Sequence, residues 1–346
     1  MKVGIHKHIY GRNIDFLKKY EEILILNKID CVWLDINDPN FWDQVRTVDL
    51  FIYRWTHYDN DRMLAHTILP VVEKDLKINV FPDQNTCWHY DDKIRQYYLL
   101  KSYSFPFTEC WIFWDKYKAK EWLESAEFPI VFKLSHGAGS SNVVKIEDNK
   151  NAEKVINTLF GKGVQSGQLP FKNSTKTIDF TFNKYLTSLA RKLLNFIKEN
   201  DISVFWQREK NYVLFQKYLP NNNYDTRITV IGDRAFGFIR MTRKDDFRAS
   251  GSGKIDYDPQ KIDKRCVKIA FEVSKKLGFQ SMAYDFLFNK TNEPEICEIS
   301  YTFQDIAVYN CEGYWDSEMN WNDGHFWPQF CQLSDLLNID NLIKPQ

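Results

Sequence analysis

The stretch SMAYDFLFNKTNEPEICEIS, residues 281–300, limits what this chain can fold into more than any other. Two runs rich in β-forming residues, 282–288 and 295–301, flank the turn-like Lys290-Thr291-Asn292-Glu293. In a hairpin symmetric about Thr291-Asn292, Asp285 lies opposite Glu298 and both side chains point to one face. Carboxylates in direct opposition repel each other. One reading is an exposed hairpin with two hydrated acids. The neighbours Ala283, Phe286, Leu287, Ile296, Cys297 and Ile299 are apolar and predict a buried sheet, where unpaired acids are costly. That favours a shared divalent cation. Mg2+ prefers oxygen ligands and takes one or two carboxylates together with substrate phosphates.

A chain of 346 residues is long enough for two or three domains. Apolar residues make up 44% of it and aromatics 16%, which suffices for a core and argues against disorder. The 46 basic and 46 acidic residues cancel, so no general attraction for a nucleic-acid backbone is expected. Seven scattered cysteines form no CxxC pair, which fits reduced thiols. The histidines show no HExxH spacing. No apolar run reaches membrane-spanning length, and Met1–His8 does not read as a secretion signal. These features lead to the expectation of a cytoplasmic protein without membrane or nucleic-acid partners.

Along the first hundred residues, strand-like 2–5, 31–34, 50–53 and 79–81 alternate with helix-like 13–27 and 70–77. This predicts an α/β layer with a largely parallel sheet. No glycine fingerprint follows the first strand, so a Rossmann dinucleotide site is not expected. Arg54 and Arg62 lie beyond a strand end, where such sheets hold ligands, and read as structural arginines or as contacts to a substrate anion. Asp91 or Asp92 caps a helix whose first turn contains Lys93. A cation there opposes the helix dipole, which points to an anion nearby, although a solvated lysine is the simpler reading.

Residues 128–134, FPIVFKL, predict a buried strand carrying one charge, Lys133. The glycine-rich HGAGSS at 136–141 and a second strand at 142–147 follow, a hairpin able to lay backbone N–H groups over phosphates. Helices are predicted at 149–160 and 185–200, separated by a Gly/Ser/Lys-rich stretch at 161–177. Strands 212–219, 226–231 and 234–241 come next, the last two joined by Gly232-Asp233. Arg240, Arg243, Lys244, Asp245, Asp246 and Arg248 then crowd around a Ser-Gly-Ser-Gly loop, and Asp258-Pro259 caps a helix over 261–277 that Gly278 ends. The aromatic residues between 301 and 337 are open to three readings: core, an oligomer contact or a carbohydrate platform, with core the default.

The order of these motifs resembles the ATP-grasp superfamily over residues 80–330. Within it, the pattern is similar to the glutamate ligases that modify ribosomal protein and to ATP-grasp proteins of bacterial surface-polysaccharide clusters. The segment FRASGSG at 247–253, Glu298-Ile-Ser300 and Gly313-Tyr-Trp-Asp316 look like the polysaccharide group. The resemblance implies an ATP-grasp fold of the mixed α/β (α+β) class. It would comprise a pre-ATP-grasp α/β domain (1–105), a lid subdomain with a helical insertion (106–214) and a metal and substrate subdomain (215–346). It also implies that Lys93 and Lys133 hold ATP phosphates beneath a lid at Gly137, Gly139, Ser140 and Ser141. Gln216, Lys217, Tyr218 and Leu219 would form the adenine hinge, and Asp225 and Arg227 stand at the DxR positions. Arg240, Arg248 and Lys133 would be catalytic. Asp285 and Glu298 match Mg2+ ligands, and Ser300 stands where the family usually has Asn as a third; Gln304 or Asn310 could substitute.

The implied activity is ATP-dependent carboxylate–amine ligation through an acyl phosphate, with ATP and Mg2+ as cofactors. The expected substrates are a small-molecule or nucleotide-sugar carboxylate and an amine, such as a sugar acid joined to an amino acid in surface-polysaccharide assembly. A peptide or protein carboxylate, or a degenerate nucleotide-binding protein, is the alternative, and a homodimer is left open. Asp285→Asn or Glu298→Gln is expected to abolish turnover while leaving the fold intact.

Overall fold

In the computed structural model, which describes residues 1–7, 14–137, 143–165, 208–242, 253–339 and 341–345, three large sheets follow one another along the chain, with a two-stranded fourth. The first is parallel and joins β1 (Lys2–His6), β2 (Asp30–Leu34), β3 (Leu50–Ile52) and β4 (Asn79–Phe81) in the order β2-β1-β3-β4. The helix Ile14–Leu26 buries Phe16, Leu17, Tyr20, Ile23 and Leu24, an apolar stripe with helical spacing. This stripe packs on Val3, Ile5 and Ile52, and the C-terminal helix Pro328–Leu337 adds Leu333 and Leu337 to the same cluster. The two ends of the chain therefore share one core.

The helix expected at 70–77 is different in the structure. An α-helix runs over Asp59–Pro70 and loosens into a π-helical turn at Val71–Asp75. The apolar spacing of Ala65, Ile68, Leu69 and Val72 continues through Pro70, so proline marks the change of winding and not a helix start.

The second sheet is antiparallel, in the order β5-β10-β6-β7, and consists of β5 (Cys110–Phe113), β6 (Ile130–Lys133), β7 (Val143–Ile146) and β10 (Val213–Lys217). It extends through Lys217, past the domain boundary expected at 214. Ile130, Phe132, Val213 and Phe215 pack against the helices Lys116–Leu123 and Asn149–Leu159. By alternation, Val131, Lys133 and Gln216 face the other way. A short pair, β8 (Val164–Gln165) and β9 (Arg208–Glu209), stands beside this sheet. Residues 166–207, including the helix expected at 185–200, lie outside the described residues.

The third sheet has seven strands. β15 (Pro294–Ser300), β14 (Ser281–Phe288), β11 (Tyr224–Ile231), β12 (Arg234–Met241), β16 (Gly313–Asp316) and β17 (Trp321–Asp323) lie side by side, with β13 (Ile255–Asp256) on β12. The helix Lys264–Leu277 lays Val267, Ala270 and Val273 against Met282, Tyr284 and Phe286. It starts later than the sequence suggested: Pro259–Lys261 is a single 3-10 turn, and the cap is Asp263, whose carboxylate accepts from Arg265 N. Gly278 ends the helix at φ 68°, a left-handed conformation that suits glycine. The carboxyl-terminal aromatics serve mainly as packing: Trp315 is buried against Trp321, and Tyr309 stacks on Trp327 at 4.2 Å. Among the described residues no helix is long and apolar enough to cross a membrane.

Phe286 is fully buried on the helix-facing side of β14. Phe286→Ala should lower stability by about 3–5 kcal/mol, the usual cost of emptying a phenylalanine site. Urea denaturation measures this, and a loss below about 1 kcal/mol would contradict the packing described.

Candidate active site

Asp285 and Glu298 are register partners on β14 and β15. Their pairing depends on a β-bulge. Next to the turn, Phe286 pairs with Ile296 and Leu287 with Glu295, a register that extended unchanged would set Asp285 against Cys297. The irregularity between Asp285 and Phe286 leaves Cys297 without a partner and brings Glu298 opposite Asp285.

Four charged residues interlock on the same face of the sheet. Asp225 and Arg227 are two residues apart on β11, so both side chains point to one side. Arg227 is in register with Asp285 on β14, and Asp225 with Arg240 on β12. Arg227 donates to Asp285 through Nε at 2.6 Å and Nη2 at 2.7 Å. Arg240 grips Asp225 through Nε and Nη2, both at 2.7 Å. Its Nη2 also reaches across β11 to Asp285 Oδ2 at 2.7 Å. Burial opposes the charge on Asp285, but Arg227 and Arg240 outweigh it and hold the carboxyl below the usual range. Asp225 touches Arg240 alone, and burial wins there and raises its carboxyl. Asp285 is therefore the firmly ionised acid of the network.

A second cluster forms where the amino end of helix Lys93–Ser102 meets the start of the glycine-rich segment. Asp92 caps the helix, accepting from Ile94 N and Arg95 N. Lys93 Nζ donates to the Gly137 carbonyl at 2.9 Å and lies 3.5 Å from Glu298 Oε1. Asp91 accepts from Gly137 N at 3.0 Å, so one glycine is held from both sides. Gly137 has φ 120°, which other residues rarely adopt. Burial disfavours a charged Lys93, but Glu298 and Asp91 outweigh it and raise its pKa. His136 sits between Glu209, 2.6 Å from its Nδ1, and Asp92. Burial pushes the Asp91 carboxyl up to about 7, with Lys93 opposing.

Of the sequence-predicted residues, Lys133, Gln216, Lys217, Tyr218, Leu219, Asp225, Arg240, Asp285 and Glu298 line a single cleft between the second and third sheets. Lys133 is buried and has no ion-pair or hydrogen-bond partner among the described residues. Gln216 Nε2 donates to Cys110 Sγ at 3.4 Å. Arg227 joins the cleft through Asp285, and Lys93 and Gly137 through Glu298. Ser300 lies two residues beyond Glu298, but its hydroxyl donates to the Thr302 carbonyl at 2.8 Å. Gly139, Ser140, Ser141 and Arg248 lie outside the described residues. Val131, Val143, Asn222, Leu287 and Cys297 also line the cleft and were not foreseen; strand alternation from Lys133 and Asp285 would have indicated Val131 and Leu287. Glu209 and His136 meet only through the tertiary fold.

The donor set suits Mg2+ carried by a polyanion. Among the described residues no three His, Cys, Asp or Glu side chains group as an all-protein metal cage. Two facing carboxylates leave the remaining positions to phosphate and water.

Because Asp285 neutralises two guanidinium groups, its loss should not leave the fold untouched, as the sequence alone led us to expect. Asp285→Asn leaves buried, uncompensated positive charge, and removing one partner of a buried ion pair costs about 3–5 kcal/mol. Glu298→Gln, whose side chain is 35% exposed and whose partner Lys93 keeps Asp91 beside it, should cost clearly less than Asp285→Asn. Equal unfolding midpoints for the two variants would contradict the network.

Asp91 gives a pH signature. Its folded pKa of about 7 lies above the unfolded value of 3.8. The native state therefore holds this proton more tightly, and stability falls as pH rises between those two values. Asp91→Asn keeps an acceptor for Gly137 N and removes the ionisation penalty. Its Tm relative to wild type should climb from about pH 5 to about pH 8, whereas a flat difference would rule out the shift.

Residues 192–307 match the model of a RimK-like ATP-grasp domain. No curated protein matches the chain by sequence. Among solved structures, N5-carboxyaminoimidazole ribonucleotide synthetase from Thermotoga maritima is similar with a TM-score of 0.60 at 13% identity, covering 100% of this chain and 77% of that one. The macrocyclase MdnC bound with precursor peptide MdnA, from Microcystis aeruginosa MRC, gives 0.57 at 13% identity over 98% and 100% of the two chains. A RimK domain ATP-grasp protein from Sphaerobacter thermophilus DSM 20745 gives 0.51 at 12% identity over 90% and 95%. The chain has the ATP-grasp fold, with a RimK-like ATP-grasp domain matched over residues 192–307.

Proposed function

We propose that the protein is an ATP-dependent carboxylate–amine ligase that works through an acyl phosphate. The observation that carries this reading is the cleft itself. An apolar slot formed by Val131, Val143, Leu219 and Leu287 runs into Lys133, Arg240 and the Asp285–Glu298 pair. This combination suits a flat base at one end and a charged polyphosphate at the other. Asp285 and Glu298 would hold Mg2+, which would supply positive charge to offset that of the phosphates.

The chain's own residues would then position the reactants. Lys133 and Lys93 hold phosphate oxygens, and Arg240, fixed by Asp225 and Asp285, faces the transferring phosphoryl group. An oxygen of the substrate carboxylate attacks the γ-phosphorus, the bond to the bridging oxygen breaks, and ADP leaves. An amine then attacks the acyl carbon; phosphate departs, the amine loses a proton and an amide forms. Phosphoryl transfer asks mainly for such positioning and charge stabilisation. Arg248, through its place in the family-like motif, is assigned to the oxyanion of the second step.

For the substrates, the reading is a sugar acid joined to an amino acid or amine in surface-polysaccharide assembly, supported by the motif resemblance. The fold shared with a macrocyclase bound with its precursor peptide favours a peptide carboxylate as the second reading. A protein that has lost chemistry is disfavoured, because Lys93, Lys133, Arg240, Asp285 and Glu298 all meet at one place.

Hydroxylamine trapping tests the reaction class. With a candidate acid, ATP and Mg2+, hydroxylamine should yield a hydroxamate, since an acyl phosphate is electrophilic at carbon and an alkyl phosphate is not. Arg248→Ala should cut the yield by about 10²–10³-fold, as loss of one oxyanion stabiliser typically does. Lys133→Ala should weaken ATP binding in a nucleotide titration. A stable phosphorylated product without hydroxamate, from every acid that stimulates ADP release, would replace the ligase reading with a kinase.

A further inference from the structure

The walls of the cleft belong to different sheets, so the connections between those sheets have to fix how the walls stand to each other. The chain leaves the second sheet at Lys217, passes along the cleft through Tyr218, Leu219 and Asn222, and joins the third sheet at Tyr224. Asn222 is half-buried in this crossing. Its Oδ1 accepts from Phe288 N at 2.9 Å, and its Nδ2 donates to the Phe288 carbonyl at 2.9 Å. The same Nδ2 donates to the Leu219 carbonyl at 3.3 Å and to the Pro220 carbonyl at 3.2 Å. An amide nitrogen has two hydrogens, so one serves Phe288 and the two longer contacts share the other.

This side chain takes over where the strand pairing stops. The register of β11 and β14 runs as far as Thr226 opposite Phe286. Two residues further along β14, the Asn222 amide meets both backbone groups of Phe288, the exchange that an antiparallel partner residue makes. The chain's entry to the second sheet is fastened to the same hairpin. Thr108 N donates to the Ile296 carbonyl, and Ile296 N to the Pro106 carbonyl, both at 2.8 Å. Ile296 is two residues from Glu298 on β15, and Phe288 is three from Asp285 on β14. At about 3.4 Å per residue, Phe288 lies about 10 Å along the strand from Asp285. Leu219, which lines the apolar slot, is thus held through Asn222 to the strand that carries the buried acid.

We propose that Asn222 is a positioning residue that holds the base end of the nucleotide slot at a set distance from the Asp285–Glu298 pair, an inference that rests on the nucleotide reading of the cleft. A ligand made of a base and a polyphosphate gains from two half-sites only when their spacing matches its own length. Loosening that spacing costs the joined ligand and leaves each half by itself unaffected. The carboxamide is the group that suits this place. A carboxylate there still accepts from Phe288 N, but it turns an oxygen toward the carbonyls of Leu219, Pro220 and Phe288.

Binding of three probes to the full chain in Mg2+ tests this: a fluorescent, non-hydrolysable ATP analogue, with adenosine and inorganic tripolyphosphate as its displacers. Asn222→Ala should weaken the analogue by about tenfold or more, because joined half-sites gain at least that from correct spacing. The constants for adenosine and tripolyphosphate, corrected for the weaker analogue, should stay at their wild-type values. Asn222→Asp should weaken the analogue further, again without changing either half. Asn222→Ala removes the amide from a half-buried position without leaving a charge among the carbonyls, so it decides the matter even where the aspartate variant does not fold. Loss of adenosine or tripolyphosphate binding in step with the analogue would make Asn222 a contact to that half or a general support of the fold. An unchanged analogue would leave it a stabiliser of the loop alone. Either result overturns the proposal. Failure of adenosine or of tripolyphosphate to displace the analogue from wild type would instead overturn the nucleotide reading on which the proposal rests.

Discussion

The carboxylate of Asp285, held between Arg227 and Arg240, is the interaction on which the site depends. It exists because four residues on three adjacent strands share one sheet face in register. A one-residue slip of β14 would turn Asp285 toward the core formed with helix Lys264–Leu277 and bring Phe286 into the cleft. The buried ion chain and the apolar face therefore enforce the same register from opposite sides of the sheet. The arrangement carries the desolvation cost that buried ion pairs always carry. In return Arg240 is fixed between Asp225 and Asp285, with little side-chain freedom left to lose on binding.

The sequence showed much of this but not how it is achieved. Asp285 and Glu298 do face each other, as a hairpin symmetric about Thr291-Asn292 requires, yet they do so through the bulge at Cys297. Two irregularities cancel: a turn centred on Thr291, half a residue from the simplest guess, and an extra residue in β15. Period-two reasoning cannot detect a bulge, because nothing in Ile296-Cys297-Glu298 marks the unpaired residue. The pairing of Asp225 with Arg240 was available, since both lie equally far from the Gly232-Asp233 turn. Helix Asp59–Pro70 was hidden because its first turn is made of charged and polar residues that read as loop. Those residues are buried by the neighbouring elements: Asp61 accepts from Thr56 Oγ1 at 2.8 Å and Asp59 pairs with Arg62. The Gly137 clamp joins residues 44 and 46 positions apart, and no local pattern carries such a contact.

The three sheets divide the work between them. The antiparallel sheet of β5, β6, β7 and β10 presents Lys133 and an apolar wall, and the seven-stranded sheet presents the ion network across the cleft. The chain leaving the parallel sheet leads into helix Lys93–Ser102, which sets Lys93 beside Glu298. Among the described residues, Lys93, Asp225, Arg227, Arg240, Asp285 and Glu298 each already have a partner of opposite charge. Binding of a polyanion with a cation is then largely an exchange of partners, which costs less desolvation than charging an empty cavity.

Lys93 shows how such an exchange is prepared. A lysine in the first turn of a helix opposes the dipole, and in isolation the sequence made a solvated side chain the simpler reading. The structure buries it, and burial by itself would favour the neutral amine. Glu298 and Asp91 reverse that preference, while Asp92 caps the helix and Gly137 accepts one of the ammonium protons. Lys93 therefore stays charged at neutral pH. Its carbonyl partner belongs to the first glycine of the HGAGSS segment, so drawing the ammonium toward an incoming anion also releases one side of Gly137. The other side remains fastened to Asp91. Gly137 is thus anchored by a carboxylate at its N–H and held by an ammonium at its carbonyl, so a shift of Lys93 changes one of its two hydrogen bonds and not the other.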